Sequence, residues 1–201
     1  MKLAALVFPG FELLDLYGPL EMFGMLREEA TISVVAEKTG AVPSTQGPKA
    51  FADSSFDSGE TYDLLLVPGG LGTRREVDNQ ALTGWLRQAA EQAKLVTTVC
   101  TGASLLARTG LLDGRKATTN KAAFRWVETQ GPAVQWQAKA RWVEDGKYFT
   151  SAGVSAGMDM ALAAIARLFD LEKARAIARY AEYRWSEDST DDPFAQVHGL
   201  A

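Results

Sequence analysis

The sequence predicts an α/β fold built on a mainly parallel sheet. Two observations carry that expectation. Short, wholly apolar runs of strand length recur along the 201 residues, as in strands covered on both faces. Between them lie longer stretches with apolar residues at three- and four-residue spacing, and strands alternating with helices build parallel sheets. With 47 % hydrophobic residues, the chain can bury one full core. Residues 1–185 are expected to form a single domain, followed by an acidic tail over 186–201.

"KLAALVF" (2–8) is short and apolar, and Pro9-Gly10 stops it, so it reads as a first strand. "ELLDLYGPLEMFGML" (12–26) has helical spacing, with Gly18 and Pro19 marking a kink or a fresh start. "TISVVAE" (31–37) is a second strand, and "DLLLVPGG" (63–70) a third, ending in a tight turn. Leu82, Trp85, Leu86, Ala89, Ala90 and Ala93 line one side of a helix over 79–93, capped by Asp78 or Asn79. "KLVTTV" (94–99) is the next strand, and Thr101–Thr109 a helix closed by Gly110. Residues 121–130 are helical, and 135–153 form a hairpin turning at Asp145-Gly146. Met158, Leu162, Ile165 and Phe169 share a helix face within Ser155–Phe169. A last helix over Leu171–Trp185 ends in Tyr180, Tyr183 and Trp185, aromatics suited to burial against a partner subunit. The tail after it is either frayed or draped over a surface.

The totals exclude several classes. Net charge is −4 with no Lys/Arg-rich run, so no nucleic-acid footprint is present. No apolar stretch approaches 18 residues, so no membrane partner is expected. The N-terminus reads as a strand rather than a signal peptide. One cysteine forms no internal disulfide, which suits a reducing, cytoplasmic setting. A single cysteine and one histidine, His198 in the tail, leave only scattered carboxylates, so neither metal nor cofactor is expected.

The chemistry gathers at "VTTVCTGASLLARTGLL" (96–112), where the cysteine, Cys100, stands at a strand-to-helix corner. Open α/β sheets bind ligands at that edge. Backbone N–H groups from Thr101 and Gly102 onward, with the positive end of the helix, favour a thiolate. A small buried core residue is the alternative, since free cysteine is often buried. Gly69-Gly70 after "LLLVP" lets backbone approach a ligand, and N–H groups of Gly70 and Thr101 would then form an oxyanion hole; a plain turn is the alternative. Asp15, among apolar residues on the loop after the first strand, is placed to hydrogen-bond the sulfur or move a proton, or else to cap a helix. Cysteine proteases need a histidine base, and His198 serves only if the tail folds across the site. Arg74 or Arg75, after the "PGGLGT" turn, is within reach of a substrate carboxylate or phosphate, with solvated helix-start charges as the alternative. Tyr17, Phe124 and Trp126 line a pocket or fill the core.

"FPGFELLDLYGPLEMF", "DLLLVPGGLGTR", "VTTVCTGASLLARTGLLDGRKATTN" and "TSAGVSAGMDMALA" together resemble the DJ-1/ThiJ/PfpI superfamily (class I glutamine-amidotransferase-like) over residues 2–185. Asp15 before "LYGP", Thr101 after the cysteine and the "AGMDMAL" helix are similar to the branch of isonitrile hydratases and of AraC-type regulator sensor domains. The resemblance implies a flavodoxin-like three-layer sandwich that dimerises, with a nucleophile elbow at Cys100. It implies Cys100 as nucleophile, Asp15 as its acid partner where other branches carry Glu, and Gly70 and Thr101 as binders of developing charge. Gly69, Gly102 and Val154 would flank the pocket. Asn120, in "TTNK", stands where "TTHW" is common, which puts protease and amidase activity in doubt. The regulators add a helix-turn-helix domain for which residues after 185 leave no room, so DNA binding is not expected. The implied reaction is hydration of an isonitrile to an N-substituted formamide. Alternatives are a glyoxalase- or deglycase-like enzyme acting on methylglyoxal, and a non-enzymatic oxidant or small-ligand sensor.

Overall fold

The structure, a computed structural model, describes residues 1–200. Strand β1 (Lys2–Leu6) leads into helix α1 (Leu13–Gly24), and β2 (Thr31–Ala36) follows. Strands β3 (Gly40–Pro43), β4 (Lys49–Ala52) and the two-residue β5 (Ser54–Ser55) precede β6 (Leu64–Val67). Helices α2 (Thr73–Glu76) and α3 (Gln80–Gln92) lead to β7 (Leu95–Thr98) and α4 (Gly102–Arg108). Then come β8 (Lys116–Ala117), α5 (Phe124–Gln130), β9 (Gln135–Trp136), β10 (Trp142–Asp145) and β11 (Tyr148–Ser151). Helices α6 (Ala156–Leu168), α7 (Leu171–Tyr180) and α8 (Phe194–Val197) complete the chain.

The main sheet has the order β10-β11-β7-β6-β1-β2-β5 and is parallel except for the β10–β11 pair. It is the mainly parallel sheet that the apolar runs predict. Every residue of β6 and β7 is buried, because helices cover both faces. Helix α6 packs on both α1 and α7, while α4 contacts α2, α3 and α5. Register decides where the chemistry falls. Val67 pairs with Thr98, and Leu66 with Ala5, so β1, β6 and β7 end level and their carboxyl-end turns meet. Thr150 pairs with Thr98, which brings Ala152 to the same edge.

Several elements depart from the sequence reading. Helix α1 runs unbroken through Pro19 rather than restarting there. Its crossing with α6 is close: a methyl group on Gly18 would stand 3.0 Å from Met158, and one on Gly157 3.2 Å from Pro19. The antiparallel β3–β4 hairpin lies in a stretch without a strand signal, since its strands are short and half exposed. The hairpin at Asp145-Gly146 forms, but its first strand begins at Trp142. Gln135–Trp136 instead pairs with β8. Helix α7 ends at Tyr180, and the chain reverses through Glu182 at φ +50°. Tyr180 is exposed, whereas the Tyr183 hydroxyl donates to Asp159 Oδ1 (3.0 Å) and the Trp185 indole N–H to the Asp159 carbonyl (3.1 Å). These two half-buried aromatics are thus tied to Asp159 of their own chain.

The segment after residue 185 lies along the molecule. Arg141 N and Trp142 N donate to the Ser189 carbonyl, and Asp192 N to that of Lys139. The Arg141 guanidinium binds Asp159 at 2.7 Å and lies 3.8 Å from Asp192, and both carboxylates are buried. Among the described residues, no helix is long and apolar enough to cross a membrane.

Removing one member of a buried ion network strands the others, at a cost of about 3 kcal/mol or more. Asp159→Ala is expected to lower stability by that amount in urea titration. A loss under about 1 kcal/mol would show that Arg141 finds water instead.

Candidate active site

Cys100 caps the end of β7 with φ +55°, a left-handed backbone that an L side chain adopts at a cost of about 1–2 kcal/mol. Clamps on both sides hold it. Cys100 N donates to the Ala152 carbonyl (3.1 Å), and the Thr119 hydroxyl donates to the Cys100 carbonyl (2.7 Å). Gly102 permits the corner, since a methyl group there would stand 2.3 Å from the Val67 carbonyl. The first turn of α4 is thus pressed onto the end of β6. The thiol receives backbone N–H groups from Thr101 and Val154, and the Thr101 hydroxyl also reaches it. Val154 presents its N–H from a positive φ of its own, +40°.

Asp15 stands in the first turn of α1, not on the loop before it, and is fully buried. Its Oδ2 accepts the Gly69 N–H at 2.9 Å, while its Oδ1 has no hydrogen-bond partner. Gly69 and Gly70 bring this about by close approach. A methyl group on Gly69 would meet Thr101 N at 2.6 Å, and one on Gly70, at φ +124°, would meet the Gly10 carbonyl at 2.4 Å. The Gly70 N–H, expected to point at a substrate anion, donates to Thr101 Oγ1 at 3.0 Å. The Thr73 hydroxyl lies 3.1 Å from the same oxygen. Thr101 is therefore the hub of this wall, and the free backbone donors converge on the sulfur from Thr101 and Val154.

The electrostatics of the pair differ from the sequence expectation of a thiol depressed by its corner. Burial pushes the Asp15 carboxyl up to about 7; the Gly69 N–H pulls it down, the Glu12 charge adds to the rise, and the thiol eases it. Cys100 is also pushed up, first by burial and then by the Asp15 carboxylate. The Thr101 and Val154 N–H groups and the Thr101 hydroxyl oppose this without overcoming it. Two acids facing each other in a dry corner cannot both ionise cheaply. The corner alone does not supply a thiolate. One requires Asp15 to hold the proton.

A cavity of about 270 Å³ opens onto Cys100, walled by Gly70, Thr101, Asn120 and Val154 and rimmed by Glu12, Leu71 and Arg74. Asn120 Oδ1 accepts Ala123 N (2.9 Å), which fixes the start of α5 beside the pocket. The Arg74 guanidinium stacks 4.0 Å above the Trp126 ring. Arg75 is instead drawn to Glu76 and the Pro9 carbonyl. Phe124 is core, packed edge-on to Trp136, and Tyr17 is exposed away from the cavity. His198 borders an adjoining cavity of about 220 Å³ with Asn120, Lys121 and Val154, one wall away from the thiol. Glu12, Thr73 and Gln46 went unnoticed in the sequence. Gln46, from the β3–β4 turn, donates to the Glu12 carboxylate and accepts Leu13 N. No local pattern marks them, because long-range contacts alone assemble them. A groove of about 500 Å³ beside β1 and α3 holds Glu37, Arg75 and Glu76, and these are bound to one another directly or through Asn79.

The family model of the DJ-1/PfpI family matches residues 1–167. An isonitrile hydratase of Pseudomonas putida is 32 % identical over 91 % of this chain and 78 % of its own length. The HTH-type transcriptional regulator GbdR of Pseudomonas aeruginosa is 30 % identical over 77 % of this chain, which spans 42 % of that protein. A crystal structure of a THiJ/PfpI family protein from Pseudomonas syringae superposes with a TM-score of 0.85 at 30 % identity, covering 99 % of this chain and 84 % of that one.

Because the folded protein raises the Asp15 carboxyl from 3.8 to about 7, the favourable contribution of this group is complete below pH 4 and is lost as pH rises through 7. The loss amounts to about 4 kcal/mol by pH 8. Asp15→Asn is expected to be the more stable protein at pH 8 and to show a flatter stability–pH curve between 4 and 8. Parallel curves for the two proteins would place the proton elsewhere.

Proposed function

This chain belongs to the DJ-1/PfpI family, and from that premise we propose that it is a cysteine-dependent enzyme hydrating isonitriles to N-substituted formamides. The observation that carries the proposal is the pairing of a buried thiol with a buried carboxyl group whose Oδ1 is unpartnered. The pair holds one mobile proton next to a small cavity, and no histidine lines that cavity. The 32 % identity to an isonitrile hydratase supports the choice of reaction. The working form is taken to be a homodimer in a reducing compartment.

In this mechanism Asp15 takes the thiol proton as substrate enters, and the Thr101 and Val154 N–H groups hold the thiolate. Sulfur attacks the terminal isonitrile carbon, and Asp15 returns the proton to that carbon, giving a thioimidate. Water then adds to the same carbon and one of its protons passes to nitrogen. The carbon–sulfur bond breaks, the formamide leaves, and the remaining proton goes back to the Asp15–Cys100 pair. Atoms and charge balance without an external oxidant or reductant. The acid acts where its carboxyl is poised, near the working pH, as general acid–base catalysis requires.

Isonitrile consumption and formamide formation, followed together, test this. Cys100→Ser is expected to abolish turnover and Asp15→Asn to slow it by about a hundredfold or more. Wild-type activity should rise as pH rises through about 7, when Asp15 gives up its own proton and becomes free to take that of the thiol. Full turnover by Cys100→Ser would end the proposal. Consumption of methylglyoxal with no action on any isonitrile would move the reading to α-oxoaldehydes.

A further inference from the structure

Two adjacent arginines follow the Pro68-Gly69-Gly70 turn, and their fates differ. Arg75 spends its guanidinium on Glu76 and on the Pro9 carbonyl. Arg74 makes one side-chain hydrogen bond, a 3.3 Å contact from Nη1 to the Thr73 hydroxyl, and no ion pair among the described residues. Its guanidinium carbon lies 4.0 Å from the Trp126 ring centroid, a cation–π contact that leaves most of its N–H groups unspent. That edge borders the cavity holding Cys100, and the charge is close enough to act on the sulfur. Besides Cys100 and Arg74, the ionisable group of the cavity is Glu12, whose Oε1 accepts from the Gln46 amide.

From this we infer that the substrate carries a carboxylate, which Arg74 receives while Cys100 attacks the electrophilic carbon. The inference rests on the proposed hydration and narrows its substrate class to isocyano carboxylates, whose products are N-formylamino acids. A planar guanidinium offers two parallel N–H groups to a carboxylate, and a contact with an indole face holds the group in place without using them. A cavity of about 270 Å³ suits such a compact molecule rather than a long-chain isonitrile. The reacting carbon and the carboxylate would then be bound from opposite walls, the β7–α4 corner and the α2 turn.

The test compares alkylation of Cys100 by iodoacetate and by iodoacetamide, reagents that differ chiefly in the carboxylate. Both report on one thiol, so any change in thiol ionisation cancels in the ratio of their rates. Arg74→Gln is expected to lower the iodoacetate-to-iodoacetamide ratio about fivefold, the worth of one partly exposed ion pair. Arg74→Lys should keep part of it, Trp126→Leu should lose part of it, and added salt should erode the wild-type preference. Equal ratios in wild type and Arg74→Gln would overturn the inference, as would a mutant slowed equally toward both reagents. The readout needs no turnover, so the substrate class and the hydration reaction stand or fall separately.

Discussion

The hydrogen bond from the Gly69 N–H to Asp15 Oδ2 is the contact on which the site depends. It joins the first turn of α1 to the turn after β6, two loops that the register of β1 and β6 has already brought level. It fills one acceptor of a buried acid and leaves the other open. Around it, glycines replace side chains wherever backbone meets backbone: Gly10 against Gly72, Gly70 against Gly10, and Gly102 against the Val67 carbonyl. The left-handed conformation of Cys100 persists because these neighbours, together with Ala152 and Thr119, over-determine it.

The same burial that gives precision sets the chemistry. Backbone N–H groups and a helix start usually draw a cysteine toward the thiolate. Here desolvation and a facing carboxylate outweigh them, and the charge of the singly protonated pair rests on Asp15 rather than on sulfur. The two residues form one acid with two tautomers of equal charge, thiol with carboxylate and thiolate with carboxylic acid. In the proposed reaction, substrate entry selects between them by displacing water and taking the sulfur's electron pair.

Much of this was legible in the chain. The strands "KLAALVF", "DLLLVPGG" and "KLVTTV" announce themselves because they are buried on both faces. Cys100 and the glycine pair were visible because a thiol at a strand-to-helix corner and a Pro-Gly-Gly turn leave local marks. The β3–β4 hairpin left none, its strands being short and half exposed. Tyr183 and Trp185 continue the spacing of α7, so nothing nearby reveals that they turn back onto Asp159. The commitment of the Gly70 N–H to Thr101 and the contact of Gln46 with Glu12 join residues 31 and 34 positions apart. The raised thiol was hidden for a related reason. A helix start is a local feature, while desolvation is a property of the whole packed corner.

A thiol that rests with its proton is also chemically quiet. Peroxide oxidises the thiolate far faster than the neutral group, and each step toward sulfinic acid begins from that anion. Burial and the Asp15 carboxylate both push Cys100 toward its neutral form, so the packing that delays its reactivity also lowers the share of the form that peroxide attacks. Burial beside a cavity thus sets both what can reach the lone cysteine and which of its forms is met there.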